Sequence, residues 1–141
     1  MSAITSQKTI SHIPNGFTSI TPYFMVTDAI LFSNFLHNAF DAEVIDEHFE
    51  NDVLRHGAYR IFDSIIEASQ GSGDFPSNKI SIHLYVPDCD AVYAKAIAAG
   101  GKSIYEVSDM PYGERSGGVE DICGNSWWIA TQQIDMYPNN K

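Results

Sequence analysis

Apolar positions along the chain alternate between two periods, and the changes of period mark its elements. After the turn signal Pro14-Asn15-Gly16, residues 17–27 are rich in β-branched and aromatic types and read as a strand. Asp28 follows, a good helix N-cap. Between Ala29 and Phe40, apolar residues at 31, 32, 35, 36 and 39 recur at i, i+1, i+4, i+5 and i+8. That spacing puts one apolar face on an amphipathic helix. Three strand-like runs come next, over 42–49, 53–62 and 64–68. Residues 70–78 contain Gly, Ser, Asp, Pro and Asn and read as a loop. A strand is expected over 79–86. A second helix is expected over 91–99, with Gly100-Gly101 ending it. Short strands are expected over 104–107, 117–121 and 127–131, with a long Gly-containing loop after the first of these.

The two halves of the chain repeat each other. Shifted by sixty residues, Phe24-Met25-Val26-Thr27-Asp28 falls on Leu84-Tyr85-Val86-Pro87-Asp88. A helix of similar length follows each segment, and three strand-like runs follow each helix. The pattern is βαβββ, twice. It predicts an α+β fold with a lead-in at 1–12, one module over 13–78, a second over 79–133 and a polar tail over 134–141, all in one structural domain.

Composition narrows the functional classes. A length of 141 residues is enough for a core without staples. Eighteen acids against eight Lys and Arg give a net charge of −10, which repels phosphate backbones and anionic membranes, so neither nucleic acid nor a membrane is an expected partner. Two cysteines, Cys89 and Cys123, form no C-x-x-C motif and read as free thiols in a reducing compartment. No run reaches the length that spans a bilayer. The N-terminal segment has no apolar centre of the signal-peptide kind. A cytoplasmic protein is the expectation.

Several segments resemble the vicinal-oxygen-chelate superfamily of glyoxalases, bleomycin-resistance proteins and extradiol dioxygenases, and most closely its PhnB-like branch. They are residues 21–29 (Thr-Pro-Tyr-Phe-Met-Val-Thr-Asp-Ala), 39–43, 81–91, 112–118 and 121–131, the last containing Asp121-Ile122-Cys123-Gly124-Asn125. The resemblance implies two βαβββ modules whose mixed sheets curl around a cavity, usually within a homodimer. It also implies a divalent metal held by His on the first strand and Glu on the last strand of each module. In this sequence those slots fall on Thr21, Ser81, Glu67 and Trp128. Only Glu67 is a metal-ligand type, so the metal site of the family reads as lost.

Strand alternation then selects candidates for the cavity wall. With Thr21 and Ser81 facing inward, Tyr23, His83 and Tyr85 face the same way, and Trp128 shares that face. This wall is aromatic with a few polar groups, the usual make-up of a small-molecule site. His83 is a candidate general base or hydrogen-bonding group. Glu67, in an apolar strand, is a candidate acid. The resemblance adds His56. Arg115, read as lying in the Gly-flanked loop 112–118, has a fork suited to a carboxylate or phosphate.

No P-loop, G-x-G-x-x-G or G-x-S-x-G motif occurs. The expectation is therefore a protein that binds a small molecule in the inter-module cavity with no metal and no cofactor. Two alternatives are an enzyme whose metal has moved to His83, His56, Glu67 and Glu120, and a metal-free acid/base enzyme using His83 or Glu67.

Overall fold

A computed structural model describes residues 9–140. Most of the expected lead-in, residues 1–8, therefore lies outside the described residues. The element order is β1 (Tyr23–Val26), α1 (Ala29–Phe40), β2 (Glu43–Glu50), β3 (Val53–Ile61), β4 (Ser64–Gln70), β5 (Ser81–Tyr85), α2 (Cys89–Ala98), β6 (Lys102–Asp109), β7 (Glu114–Glu120) and β8 (Ser126–Gln132). The strands form two four-stranded mixed sheets, ordered β1-β4-β3-β2 and β5-β8-β7-β6. In each, the first strand runs parallel to the last, and the remaining pairings are antiparallel. This is the doubled βαβββ layout expected from the repeat, with no closed barrel.

Matching caps start the two helices. Asp28 accepts from the Leu31 amide at 3.1 Å, and Asp88 accepts from the Ala91 amide at 3.2 Å. Each carboxylate satisfies an amide that has no partner within its helix. Helix α2 begins at Cys89, two residues before the sequence suggested, directly after its cap Asp88.

One apolar core runs through both modules on the helix side of the sheets. Phe24 and Val26 of β1 face α1, where Phe32, Phe35, Leu36 and Phe40 are buried. Trp127 of β8 joins the modules. It is 1% exposed and stacks on Phe24 at 5.7 Å and 8°, and its centroid lies 4.7 Å from that of Phe40. Lys95 of α2 adds an ion pair with Asp41 at the end of α1.

Three differences from the sequence reading have physical causes. The first strand is short. Residues 17–22 lie outside it because β4 supplies partners only from Tyr23 onward, pairing it with Glu67. Pro22 has no N–H to give a ladder; its carbonyl accepts from the Glu67 amide at 2.9 Å. Thr21 consequently precedes β1. Strand β7 is longer than expected and begins at Glu114, so Arg115 is a strand residue, not a loop residue. The two glycines within β7 make room for rings. A Cβ at Gly118 would sit 2.8 Å from Tyr105 and 3.0 Å from Trp128, and one at Gly117 would sit 2.7 Å from Tyr93. Finally, the polar tail folds back. The Gln133 and Ile134 amides donate to the Gly113 carbonyl, and the Met136 amide donates to Gln132 Oε1.

Tyr59 gives the fold a base-sensitive point. It is buried on β3 and donates its hydroxyl to Glu47 Oε2 at 2.8 Å. Burial, with the Glu47 charge beside it, pushes the phenol far above its ordinary value of 10.0. The unfolded chain loses this proton first as pH rises. Stability is therefore complete below about pH 10 and falls above it. Denaturant midpoints measured from pH 8 to 11 should fall, and Tyr59→Phe should flatten that fall. An equally steep fall in the variant would assign it elsewhere.

Candidate functional site

Away from the helices, each sheet carries a close His–carboxylate pair; a further contact, between exposed His48 and Glu50 on β2, is longer at 3.8 Å. On the first sheet, His56 of β3 and Glu67 of β4 meet at 2.7 Å between Nε2 and Oε1. Both side chains are partly buried, at 33% and 25% exposure. The two-residue turn at Phe62-Asp63 pairs Ile61 with Ser64, and the resulting register brings His56 within reach of Glu67. Tyr23 lies 6.1 Å from His56 between ring centroids, and its hydroxyl bonds Ser69. The sequence had pointed to His56 and Glu67 separately; the hairpin couples them. Arg60, also on β3, pairs with Glu43.

On the second sheet, His83 of β5 faces Glu114 of β7, with 3.3 Å between Nε2 and Oε1. The imidazole is 41% exposed, whereas the carboxylate is 2% exposed. Oε1 of Glu114 has no hydrogen bond. Its other oxygen lies 3.5 Å from the Tyr112 hydroxyl. The His83 and Tyr85 rings stack at 4.4 Å and 21°. Beside them, Trp128 pairs with His83 across the β5–β8 ladder and stacks on Tyr105 at 6.0 Å and 14°. Tyr105 in turn bonds Ser116 at 3.0 Å. Alternation had predicted that Ser81, His83, Tyr85 and Trp128 share a face, and the β5–β8 register places them on one.

Glu114 is the residue that the sequence reading missed. It lies in the Gly-flanked segment 112–118, ahead of the strand expected over 117–121, and Gly113 and Ser116 beside it have low strand propensity. The available signal was Tyr112-Gly113-Glu114, a turn glycine ahead of a charged residue that opens a strand opposite Gln132.

The nine candidates do not line a single cavity within the chain. A groove of about 310 Å³ between the modules is lined by Ser81 and His83 together with Thr18, Ile20, Pro22 and Ile65. Tyr85 lines a separate cleft of about 480 Å³ with Val86, Pro87, Gln132, Met136 and Tyr137. Thr21 and Glu67 border a third hollow beside His12 and Phe17. Arg115 is engaged elsewhere: its fork holds Asp90 at 2.8 and 3.1 Å, and a third N–H reaches Asp109 at 3.1 Å. These bonds push the guanidinium pKa up and hold the Asp90 carboxyl below its ordinary value.

The implied metal does not fit these side chains. Thr21, Ser81 and Trp128 occupy three of its four slots, and Glu67 is already paired with His56. Among the described residues, no three His, Cys, Asp or Glu side chains gather in a metal-binding group. His83, His56, Glu67 and Glu120 likewise do not gather in one. Burial pushes both cysteine thiols up, Cys89 and Cys123 alike, which disfavours the thiolate form. No helix among the described residues is long and apolar enough to cross a membrane.

Comparison with known proteins agrees on the architecture. No family model matches the sequence. An uncharacterized protein of Mycobacterium bovis is 27% identical over 132 residues, covering 84% of this chain and 87% of the relative. One from Mycobacterium tuberculosis has the same identity and covers 78% of the relative. Among solved structures, TioX from Micromonospora sp. superposes with a TM-score of 0.69 at 18% identity, covering 84% of this chain and 99% of the other. A glyoxalase-related enzyme from Fulvimarina pelagi gives 0.64 at 16% identity, covering 82% and 88%. A PhnB protein from Bacillus cereus, described as a putative 3-demethylubiquinone-9 3-methyltransferase, gives 0.61 at 16%, covering 81% and 99%.

Proposed function

We propose, for a chain built on the fold of the glyoxalase/bleomycin-resistance/dioxygenase superfamily, that it binds a small aromatic or carbonyl-bearing molecule without a metal. The ligand lies against the second sheet, where that sheet meets the groove between the modules. The observation that carries this reading is the ring surface of His83, Tyr85, Trp128 and Tyr105, stacked in two pairs beside a half-exposed imidazole. Flat rings offer large contact area at little entropic cost, and His83 supplies a polar group to orient the ligand.

A homodimer belongs to the proposal. Strand β2 is the outer strand of its sheet and exposes Val44, Ile45 and Phe49, apolar area that a second copy of the chain would cover. The reading places the protein in the cytoplasm, as a holder of its ligand rather than a catalyst of its conversion.

The test is a screen of soluble aromatic aldehydes, ketones and carboxylates by protein-observed NMR, with no metal added. Hits should shift resonances of His83, Tyr85 and Trp128. Trp128→Ala should weaken binding by about tenfold, the loss expected for one stacked ring. Hits that cluster away from these residues, or an empty screen, would overturn the assignment. Turnover of a bound carbonyl compound would favour the acid/base alternative with His83 as the base.

A further inference from the structure

Glu114 presents an electrostatic problem. A carboxylate that is 2% exposed requires a partner, since an unpaired buried charge is costly. Among the described residues, no Lys or Arg reaches it. The neighbouring Arg115 is occupied by Asp90 and Asp109. The titratable neighbours of Glu114 are His83, 3.3 Å from Oε1, and the Tyr112 hydroxyl, 3.5 Å from Oε2, and Oε1 makes no hydrogen bond. Apart from the His83 ring, nothing among the described residues is placed to balance a charge on this carboxylate.

What surrounds that charge is tyrosine. Tyr112 reaches Oε2, Tyr85 lies over His83, and Tyr137 comes up from the tail to line the 480 Å³ cleft with Tyr85. Gln132, the cross-strand partner of Glu114, lines the same cleft. Burial first and the Glu114 charge second push the Tyr85 and Tyr112 phenols up, so both rings lie within the carboxylate's field. Ring faces are the negative ends of aromatic quadrupoles, and a buried anion beneath them adds to the same sign. The cleft wall itself includes Tyr85, Gln132 and Tyr137, with Glu114 buried behind Gln132, so the cleft offers ring faces backed by a carboxylate and no cationic side chain.

We infer that the cleft between Tyr85 and Tyr137 is a site for an organic cation, an alkylammonium group on an apolar body, whose charge is balanced by Glu114. This goes beyond the small-molecule reading above: that ligand lies where the second sheet meets the inter-module groove, and this one lies in the neighbouring cleft. The cation would sit against the tyrosine faces. Movement of the half-exposed His83 ring would give it access to Glu114 Oε1.

The probes are choline and its neutral isostere 3,3-dimethylbutan-1-ol, which share shape but not charge. Titration by NMR at pH 8, where the unperturbed imidazole is neutral, should show choline bound at least about tenfold more tightly than the alcohol. Glu114→Gln, nearly isosteric, should abolish that preference while the circular dichroism spectrum stays unchanged. Should that variant misfold, the exposed tail residue gives a second route: Tyr137→Leu should weaken choline about fivefold and Tyr137→Phe should retain it. Equal binding of the two probes would overturn the cation site, as would a preference that survives Glu114→Gln. If neither probe binds while the aromatic screen succeeds, the cation site falls and the small-molecule reading stands. If both screens are empty, both fall.

Discussion

Trp127→Ala should lower the free energy of unfolding by about 3–5 kcal/mol, the range for truncating a large buried aromatic. Trp127 is 1% exposed and belongs to the second module, yet its ring lies on Phe24 and against Phe40 of the first. Truncation therefore opens a void at the joint of two modules that each depend on the shared core. Relaxation there is limited because Phe24 and Phe40 are held by their own strand and helix. The indole N–H also donates to Asp121 Oδ2 at 2.8 Å, so the variant strips a buried acceptor of one partner. Against a typical total of about 5–15 kcal/mol, such a loss leaves a marginal protein. Urea denaturation followed by circular dichroism measures it. Trp127→Phe should cost less, keeping the stacking and losing the hydrogen bond. A loss below about 1 kcal/mol for the alanine variant would mean that the modules stand independently.

Asp121→Ala should be nearly as damaging, by about 3 kcal/mol, through a different mechanism. Asp121 is 3% exposed and its carboxylate is the hub of the turn that leads into β8. It accepts from the Cys123 amide at 2.8 Å, the Asn125 amide at 3.0 Å and the Trp127 indole at 2.8 Å. Asn125, itself buried, passes the connection on by accepting from the Ile80 amide at 3.0 Å, just ahead of β5. Removing the carboxylate leaves several buried donors unpaired at once, at about 1–3 kcal/mol for a group left without a partner. Faster hydrogen exchange at Cys123 and Asn125, confined to this turn, is the local signature to look for. Because Asp121 and Trp127 share a hydrogen bond, the double variant should lose less than the sum of the two single losses. Strict additivity would contradict the shared bond.

Asp121-Ile122-Cys123-Gly124-Asn125 was among the segments that carried the resemblance to the superfamily. In the structure it is a clip: it closes a turn, positions β8 and anchors β5. The motif therefore speaks to the fold, and the chemistry lies on strands that it holds in place.

Much of the architecture was legible in the sequence because it is locally encoded. Two capped helices, the strand alternation and the sixty-residue repeat depend on neighbours within a few positions, and each reappears where it was expected. The shared face of His83, Tyr85 and Trp128 follows from period two once β5 and β8 are paired. That residues 21, 81 and 128 are Thr, Ser and Trp, not His, Cys, Asp or Glu, is visible from residue identity alone.

Tertiary structure decided the rest. Residue order does not say that His56 meets Glu67, that Arg115 is bound by Asp90 and Asp109, or that His83 sits over Glu114 thirty-one positions along the chain. Glu114, Arg115 and Ser116 read as loop, yet they are strand, paired with Gln132, Thr131 and Ala130, and Gly117 and Gly118 after them leave space that Tyr93, Tyr105 and Trp128 fill. The tail reads as polar, yet Tyr137 returns to the cleft beside Tyr85. Periodicity fixes which face a side chain takes. Which charges then meet on that face is set by strand register and long-range packing, contacts between residues with no local signal of one another.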